Sequence, residues 1–306
     1  MHYTRLFLVA GLLGLGCRPH YHNPVDTSVA LDSSFFAGPK RLGQVEKKSL
    51  DEISGLAASF QFKDAFWVHN DSGGKNRLYL LSKTGQHLGE LDLGDLKNRD
   101  WEDICVGQNK TTGQYYLYLG EIGDNQAKYK YKYIYRVPEP SPASVKFPFE
   151  KKAKKVKVMK FRLPDQVRDT ETLMFDPLTH SLWLVSKREE KVRLYELPDF
   201  EDDTEGKAIF HQELPITYAN GGDISPDGRE ILIKNYANIY YWPRLPSQTI
   251  AEALQRPPLR LPYQEEPQGE AIAWDSQGKG FYTVSEESEG IEAEMLFYAR
   301  LKKGRP

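Results

Sequence analysis

The chain has 306 residues, with 41 Lys and Arg against 43 Asp and Glu and a formal net charge of -2. This length allows one large domain or two smaller ones with a sizeable core, and the charge balance excludes the strongly basic footprint of a nucleic-acid binder. Aromatic residues make up 12 % of the chain, a lean toward sheet, because aromatic side chains suit half-buried pleated surfaces.

The first segment reads as a targeting signal. Arg5 supplies a positive start, and Leu6 to Leu15 is an apolar run of about ten residues, too short to span a bilayer. It ends in Gly16-Cys17, a small residue followed by Cys, which resembles a bacterial lipobox with Cys17 as the lipidated residue. Gly14 stands where that pattern has a large aliphatic residue, and an ordinary cleaved signal is the alternative. The expected organisation is a signal peptide over 1–16, a lipid-anchored polar spacer over 17–36 and one domain over 37–306. The second cysteine, Cys105, lies in the apolar run Ile104-Cys105-Val106 and is expected as a buried, inert thiol.

From residue 52 onward the chain repeats itself. Five segments open on an acid and continue into an apolar stretch: Glu52-Ile53, Glu102-Asp103-Ile104, Glu171-Thr172-Leu173, Asp223-Ile224 and Glu270-Ala271-Ile272. Each is followed by a second apolar run, as in Phe66-Trp67-Val68 or Ile231-Leu232-Ile233, and then by a third, as in Leu78-Tyr79-Leu80 or Tyr240-Tyr241-Trp242. Asp176-Pro177, Ser225-Pro226-Asp227-Gly228 and Asp275-Ser276-Gln277-Gly278 supply turn chemistry between runs. Short strands at regular spacing mean antiparallel all-β structure. Repeats of 40 to 50 residues with about four strands each are the signature of a β-propeller. We expect five blades. The longest interval, 102 to 171, contains a Pro- and Lys-rich stretch over 138–155 before a fourth strand over 156–163, and a sixth, degenerate blade there is the alternative. The last repeat lacks a fourth strand, and Lys40 to Val45 is expected to fill that gap and close the ring.

The segments Glu52-Ile53-Ser54-Gly55, His69-Asn70-Asp71-Ser72-Gly73, Asp100-Trp101-Glu102-Asp103-Ile104, Gly120-Glu121-Ile122-Gly123-Asp124-Asn125, Asp169-Thr170-Glu171-Thr172-Leu173, Asp223-Ile224-Ser225-Pro226-Asp227-Gly228 and Gly269-Glu270-Ala271-Ile272 together resemble a large group of secreted bacterial propellers of mostly unassigned function. The resemblance covers nearly the whole mature chain. More distantly, an acid opening each of five blades is similar to the calcium-activated nucleotidases, which implies Ca²⁺ in the channel. Phytase-like and gluconolactonase-like propellers are similar in architecture only.

In such a blade the start of the first strand and the end of the second lie on one face. The first-strand acids Glu52, Glu102, Glu171, Asp223 and Glu270 should therefore ring the channel mouth. Carboxylates about 6 Å apart repel by roughly 3 kcal/mol per pair at an effective dielectric near 20, so cations must balance them or some must hold protons. An oxygen-only set suits a hard cation, and Ca²⁺ tolerates irregular geometry best. Lys187, Arg188 and Lys234 offer the competing solution, salt bridges without metal. A second polar ring is expected from the second-strand ends: His69, Asn70 and Asp71, then Glu121, Asp124 and Asn125, then Lys187 and Arg188, then Lys234 and Asn235, and finally Glu286. His69, Asp71 and Lys187 are the candidates for acid–base and anion-holding roles; the others would contact a ligand. Two functions follow as expectations. One is a metal-dependent hydrolase of an anionic ester or lactone. The other is a non-catalytic envelope scaffold binding a small anionic ligand or a protein. The expected location is the bacterial cell envelope, on its periplasmic or outer side, with no nucleic-acid partner.

Overall fold

A computed structural model describes residues 25–72, 74–198, 205–288 and 290–301. Cys17, the signal segment and residues 17–24 of the expected spacer lie outside them. The described chain forms twenty-two strands and almost no helix. After β1 (Lys40–Gln44), blade 1 holds β2 (Ile53–Ala58), β3 (Ala65–Asn70), β4 (Arg77–Ser82) and β5 (His87–Asp92). Blade 2 holds β6 (Trp101–Gln108), β7 (Tyr115–Glu121) and β8 (Lys132–Pro138); β9 (Phe149–Lys152) and β10 (Lys157–Arg162) follow. Blade 3 is β11 (Thr170–Phe175), β12 (Leu182–Ser186) and β13 (Arg193–Leu197), with β14 (Glu205–Lys207) and β15 (Ile209–Glu213) after them. Blade 4 is β16 (Gly221–Ile224), β17 (Glu230–Lys234), β18 (Ile239–Pro243) and β19 (Leu259–Leu261), and blade 5 is β20 (Ala271–Trp274), β21 (Gly280–Val284) and β22 (Glu294–Ala299).

The sheet orders make five blades. β1 pairs antiparallel with β22 and completes blade 5, so the N-terminal strand closes the ring as its sequence position predicts. The long 102–171 interval hides no sixth blade. Its extra residues supply β9, which adds in parallel to β5 at the outer edge of blade 1, and β10, the fourth strand of blade 2. β14 then adds in parallel to β10, so blades 1 and 2 have five strands each.

The runs are continuously apolar, not alternating, because each blade is buried on both faces. Along β12, Leu182 and Leu184 pack toward blade 2 while Trp183 and Val185 pack toward blade 4. Five buried clusters result, each drawing on two adjacent blades. Burial of this kind stabilises at roughly 25 cal/mol per Å² of apolar surface.

Polar braces cross the same seams. Asp103 accepts the backbone N–H of Leu173 at 2.9 Å, and Asp223 that of Trp274 at 2.8 Å. Arg244 pairs with Asp176 at 2.9 Å and Arg300 with Glu230 at 2.6 Å.

The polar segment expected to run free to residue 36 instead packs on the domain from Asp26 onward. Asp26 donates its N–H to Asn238 Oδ1, Leu31 bridges to Arg260, and Phe36 is buried against Tyr241, Trp274 and Phe281. An aromatic side chain of that size gains more from burial than a spacer gains from freedom. Cys105 is buried and free, and burial pushes its thiol pKa well up, as expected of an inert core cysteine.

Candidate functional site

Each inner strand starts at one face, and there the channel opens into a cavity lined by Asp71, Ser72, Asp100, Glu102, Asn125, Glu171, Lys187, Arg188, Tyr236, Gln268, Glu270 and Glu286. Local backbone geometry aims the acids. In blades 1, 2 and 3 the pairing of the first strand with the second slips at its mouth end, between Ile53 and Gly55, between Trp101 and Ile104, and between Thr170 and Thr172. A β-bulge of this kind bends the strand and redirects a side chain. It places Glu102 and Glu171, both almost fully buried, beside the channel.

The carboxylates of Asp71, Asp100 and Glu102 lie with one oxygen each within 4.8 Å of the others, and so do those of Glu102, Asp169 and Glu171. Gly123 makes room for this crowding. A Cβ there would collide with Glu102 Oε1 and the Asp100 carboxylate, so only glycine lets the loop pass so close.

Cations answer part of this charge. Lys187 Nζ lies 2.7 Å from Glu171 Oε2 and 3.4 Å from Glu270 Oε1, and Tyr236 donates its hydroxyl to Glu270 at 2.6 Å. Arg188 binds Asp169 at 2.6 Å and Asn125 Oδ1. Asp169 also accepts the N–H of Asp124 at 2.8 Å. In the Asp71–Asp100–Glu102 group, Asp71 Oδ1 is buried without a hydrogen-bond partner among the described residues.

The protonation equilibria follow from this layout. Burial, then Glu270, Asp100 and Glu52, push Asp71 up to about 7. Burial, then Asp169 and Glu121, push Asp100 up to about 6. Glu102 is raised well above the usual range by burial, Glu171 and Asp71. Glu171 rises to about 8 through burial, against the opposing pull of Lys187. Burial disfavours the Lys187 charge, but Glu171 and Glu270 outweigh it and hold the ammonium charged.

The structure thus brings Asp71, Asn125, Lys187, Arg188, Glu286, Glu102, Glu171 and Glu270 to the mouth. Other expected residues lie elsewhere. Asp223 is not at the level of Glu102. It matches Asp103: its two oxygens accept the N–H groups of Ile224 and Trp274, as those of Asp103 accept Ile104 and Leu173. Gly221 and Gly222 occupy the mouth end of β16, and Asp223 pairs two residues deeper, opposite Leu232. Asp223 instead borders a separate pocket at the opposite end of the channel, with Ala57, Val106, Phe175, Ile224 and Pro226.

Glu52 acts on Asp71 through its charge but does not line the cavity. His69 lies beneath it. The ring is fully buried edge-on to Trp101, Nδ1 donates to the Asn70 carbonyl, and burial pushes its pKa down to about 4, so it stays neutral. Asn70 ties Ser49 and Asp51. Glu121 holds Arg99, and Asp124 accepts the N–H groups of Lys128 and Tyr129. Lys234 is buried on Asn220 Oδ1 and the Gly269 carbonyl, and Asn235 caps its own turn through Ala237 and Asn238. Each of these residues holds protein groups, and none lines the cavity.

Sequence reasoning missed Asp100, Asp169, Tyr236 and Gln268. For the two acids a signal existed: Asp100-Trp101-Glu102 and Asp169-Thr170-Glu171 share an acid-x-acid spacing, which puts both acids on one side of an extended chain.

Fold and site define a five-bladed β-propeller with an acid-lined channel mouth. No family model and no curated protein matches the chain. Among solved structures, the WD40 domain of Neurospora crassa Pan2 is similar at 10 % identity and a TM-score of 0.46, over 90 % of this chain and 98 % of that one. The blade count and ring closure rest on the strand pairing described above.

Proposed function

We propose that this propeller is an envelope protein, lipid-anchored through Cys17, whose channel mouth holds a hard divalent cation, Ca²⁺, between Asp71, Asp100 and Glu102. The resemblance to secreted bacterial propellers and the Gly16-Cys17 signal support the location. One observation carries the site: three carboxylates converge within 4.8 Å in a cavity open to solvent, while the nearby Lys187 is engaged by Glu171 and Glu270. Oxygen ligands without thiolate or imidazole suit Ca²⁺.

The bound cation, with Lys187 and Arg188 at its side, gives a net acidic mouth a way to hold a small anionic ligand. Binding is the core of this reading. Hydrolysis of an anionic ester or lactone is its catalytic extension. With the cation bound, its charge would draw the Asp71 pKa down, so Asp71 would serve there as a ligand and not as a proton acceptor. The test is metal analysis of the purified protein together with calorimetric titration of Ca²⁺, followed by a screen of phosphate esters and lactones. Ca²⁺ binding without turnover supports a binding scaffold, and turnover abolished by EDTA supports the hydrolase. If no divalent cation binds, Lys187 is the ring's counter-charge and the site reading fails.

A further inference from the structure

Charge is spread unevenly around the disc. Between Lys128 and Arg162, which builds the outer half of blade 2, the sequence has twelve Lys and Arg against two acids. Between Tyr263 and Glu294, mostly blade 5, it has nine acids against one Lys. A chain of net charge -2 is therefore strongly polarised across the ring.

Part of this basic side lies where blade 2 meets the mouth face. The loop after β7 carries Lys128, Tyr129 and Lys130 in succession, all exposed, with Tyr129 at 43 %. Asp124 fixes their backbone by accepting two N–H groups, at 2.8 Å from Lys128 and 2.7 Å from Tyr129. Arg99 stacks 4.1 Å from the Tyr129 ring centroid, Lys97 sits 4.8 Å over Tyr133, and Lys130 lies 5.4 Å from Tyr131. At the end of β10, Arg162 is exposed beside the same loop. The local acids are engaged: Glu121 on Arg99, Asp165 on Arg168 and Arg193, and Glu205 on Lys160.

We infer that this rim, Lys97, Lys128, Tyr129, Lys130 and Arg162, docks on the surface of an anionic phospholipid bilayer. Lysine ammoniums on flexible stems are drawn to the phosphates of anionic headgroups. Tyrosine rings suit the interfacial zone because one edge is apolar and the hydroxyl stays wet. The acids of blade 5 lie away from blade 2 and tip the disc so that the basic rim leads. Asp26 meets Asn238 in the β17–β18 turn on this same face, so a chain anchored through Cys17 leaves the domain on the side that bears the rim. The inference goes beyond the cation site and does not depend on it.

The experiment is co-sedimentation of the full chain carrying Cys17→Ser, which cannot be acylated, with vesicles of phosphatidylcholine alone or with about one-third phosphatidylglycerol. Binding is expected to the anionic vesicles only, equally in Ca²⁺ and in EDTA, and to be lost at about 0.5 M salt. Lys128→Glu with Lys130→Glu should weaken it at least tenfold. Lys63→Glu with Lys110→Glu makes the same charge change on exposed turns of the opposite face and should leave it within twofold. Thermal melting of both double variants should match the parent, since all four positions are exposed. The inference is overturned if anionic vesicles do not sediment the protein, if neutral vesicles do so equally, or if both double variants lose binding alike. Binding that needs Ca²⁺ also overturns it, because the lipid would then be held through the mouth and not the rim.

Discussion

The two ends of the channel are made by the same inner strands and carry opposite chemistry. At the mouth, bulges in the first strands turn Glu102 and Glu171 toward the channel, and Asp71, Asp100, Asp169 and Glu270 crowd around them. At the other end, Ala57, Val106, Phe175, Ile224 and Pro226 line the pocket, and its acid, Asp223, has both oxygens committed to backbone amides. A buried carboxylate is thus spent in two ways. Asp103 and Asp223 join neighbouring blades, whereas the mouth acids face one another across open space. The first kind stabilises the ring. The second kind costs stability unless something balances it.

Removing the mouth's own counter-charge should do the most damage. Lys187→Met leaves Glu171 and Glu270 buried without their ammonium and should cost about 3–5 kcal/mol, measured by denaturant unfolding at pH 8. The loss should be smaller at pH 5.5, where Glu171, with a pKa of about 8, holds its proton.

Breaking a seam acid should cost somewhat less. Asp223→Ala leaves two backbone N–H groups unpaired in a buried seam, a loss of about 2–4 kcal/mol. It should not change any response to Ca²⁺. If Asp223→Ala and Glu102→Gln behave alike in both respects, the distinction between the two ends fails.

The pH dependence should be opposite to that of a salt-bridged acid. Asp71, Asp100 and Glu171 have native pKa values of about 7, 6 and 8, all above their unfolded values. The native state therefore holds more protons than the unfolded chain between about pH 4 and 8, and stability falls as pH rises through that window. In EDTA the melting temperature should be lower at pH 8 than at pH 5.5, and Ca²⁺ should narrow the gap. A melting temperature that rises over this range would show that the mouth is already neutralised. The smallest effect is Asp71→Asn, which removes one repelling charge at constant shape and should raise the melting temperature at pH 8 in EDTA by a few degrees.

The fold was legible because each blade contributes two or three apolar runs separated by turn residues, and that pattern survives large changes in loop length. Glu102, Glu171 and Glu270, each just before its apolar run, line the cavity, whereas Glu52 in the same place does not. Asp223 breaks the rule as well: in blade 4 Gly221 and Gly222 stand at the mouth and Asp223 pairs deeper, opposite Leu232, so the first acid of the repeat belongs to the seam. His69 shows a second limit. It ends an apolar run as Lys187 follows one, yet it lies fully buried below the mouth while Asp71, two residues on, reaches the cavity. Nothing in residue type distinguishes a polar strand end that faces the channel from one that ties a loop, as Glu121, Asp124, Lys234 and Asn235 do without lining the cavity.

The most direct test of the mouth is the melting temperature of the wild-type chain and of Glu102→Gln at pH 7.5, with and without Ca²⁺. A cation bound only to the native state adds about 2.7 kcal/mol at one hundred times its dissociation constant, so Ca²⁺ should raise the wild-type melting temperature by several degrees and EDTA should reverse the rise. Glu102→Gln should melt at or above the wild type in EDTA and respond to Ca²⁺ far less. Identical melting of the wild type in Ca²⁺ and EDTA, with Glu102→Gln more stable than wild type in both, would contradict the account and leave Lys187 as the charge that holds the mouth together.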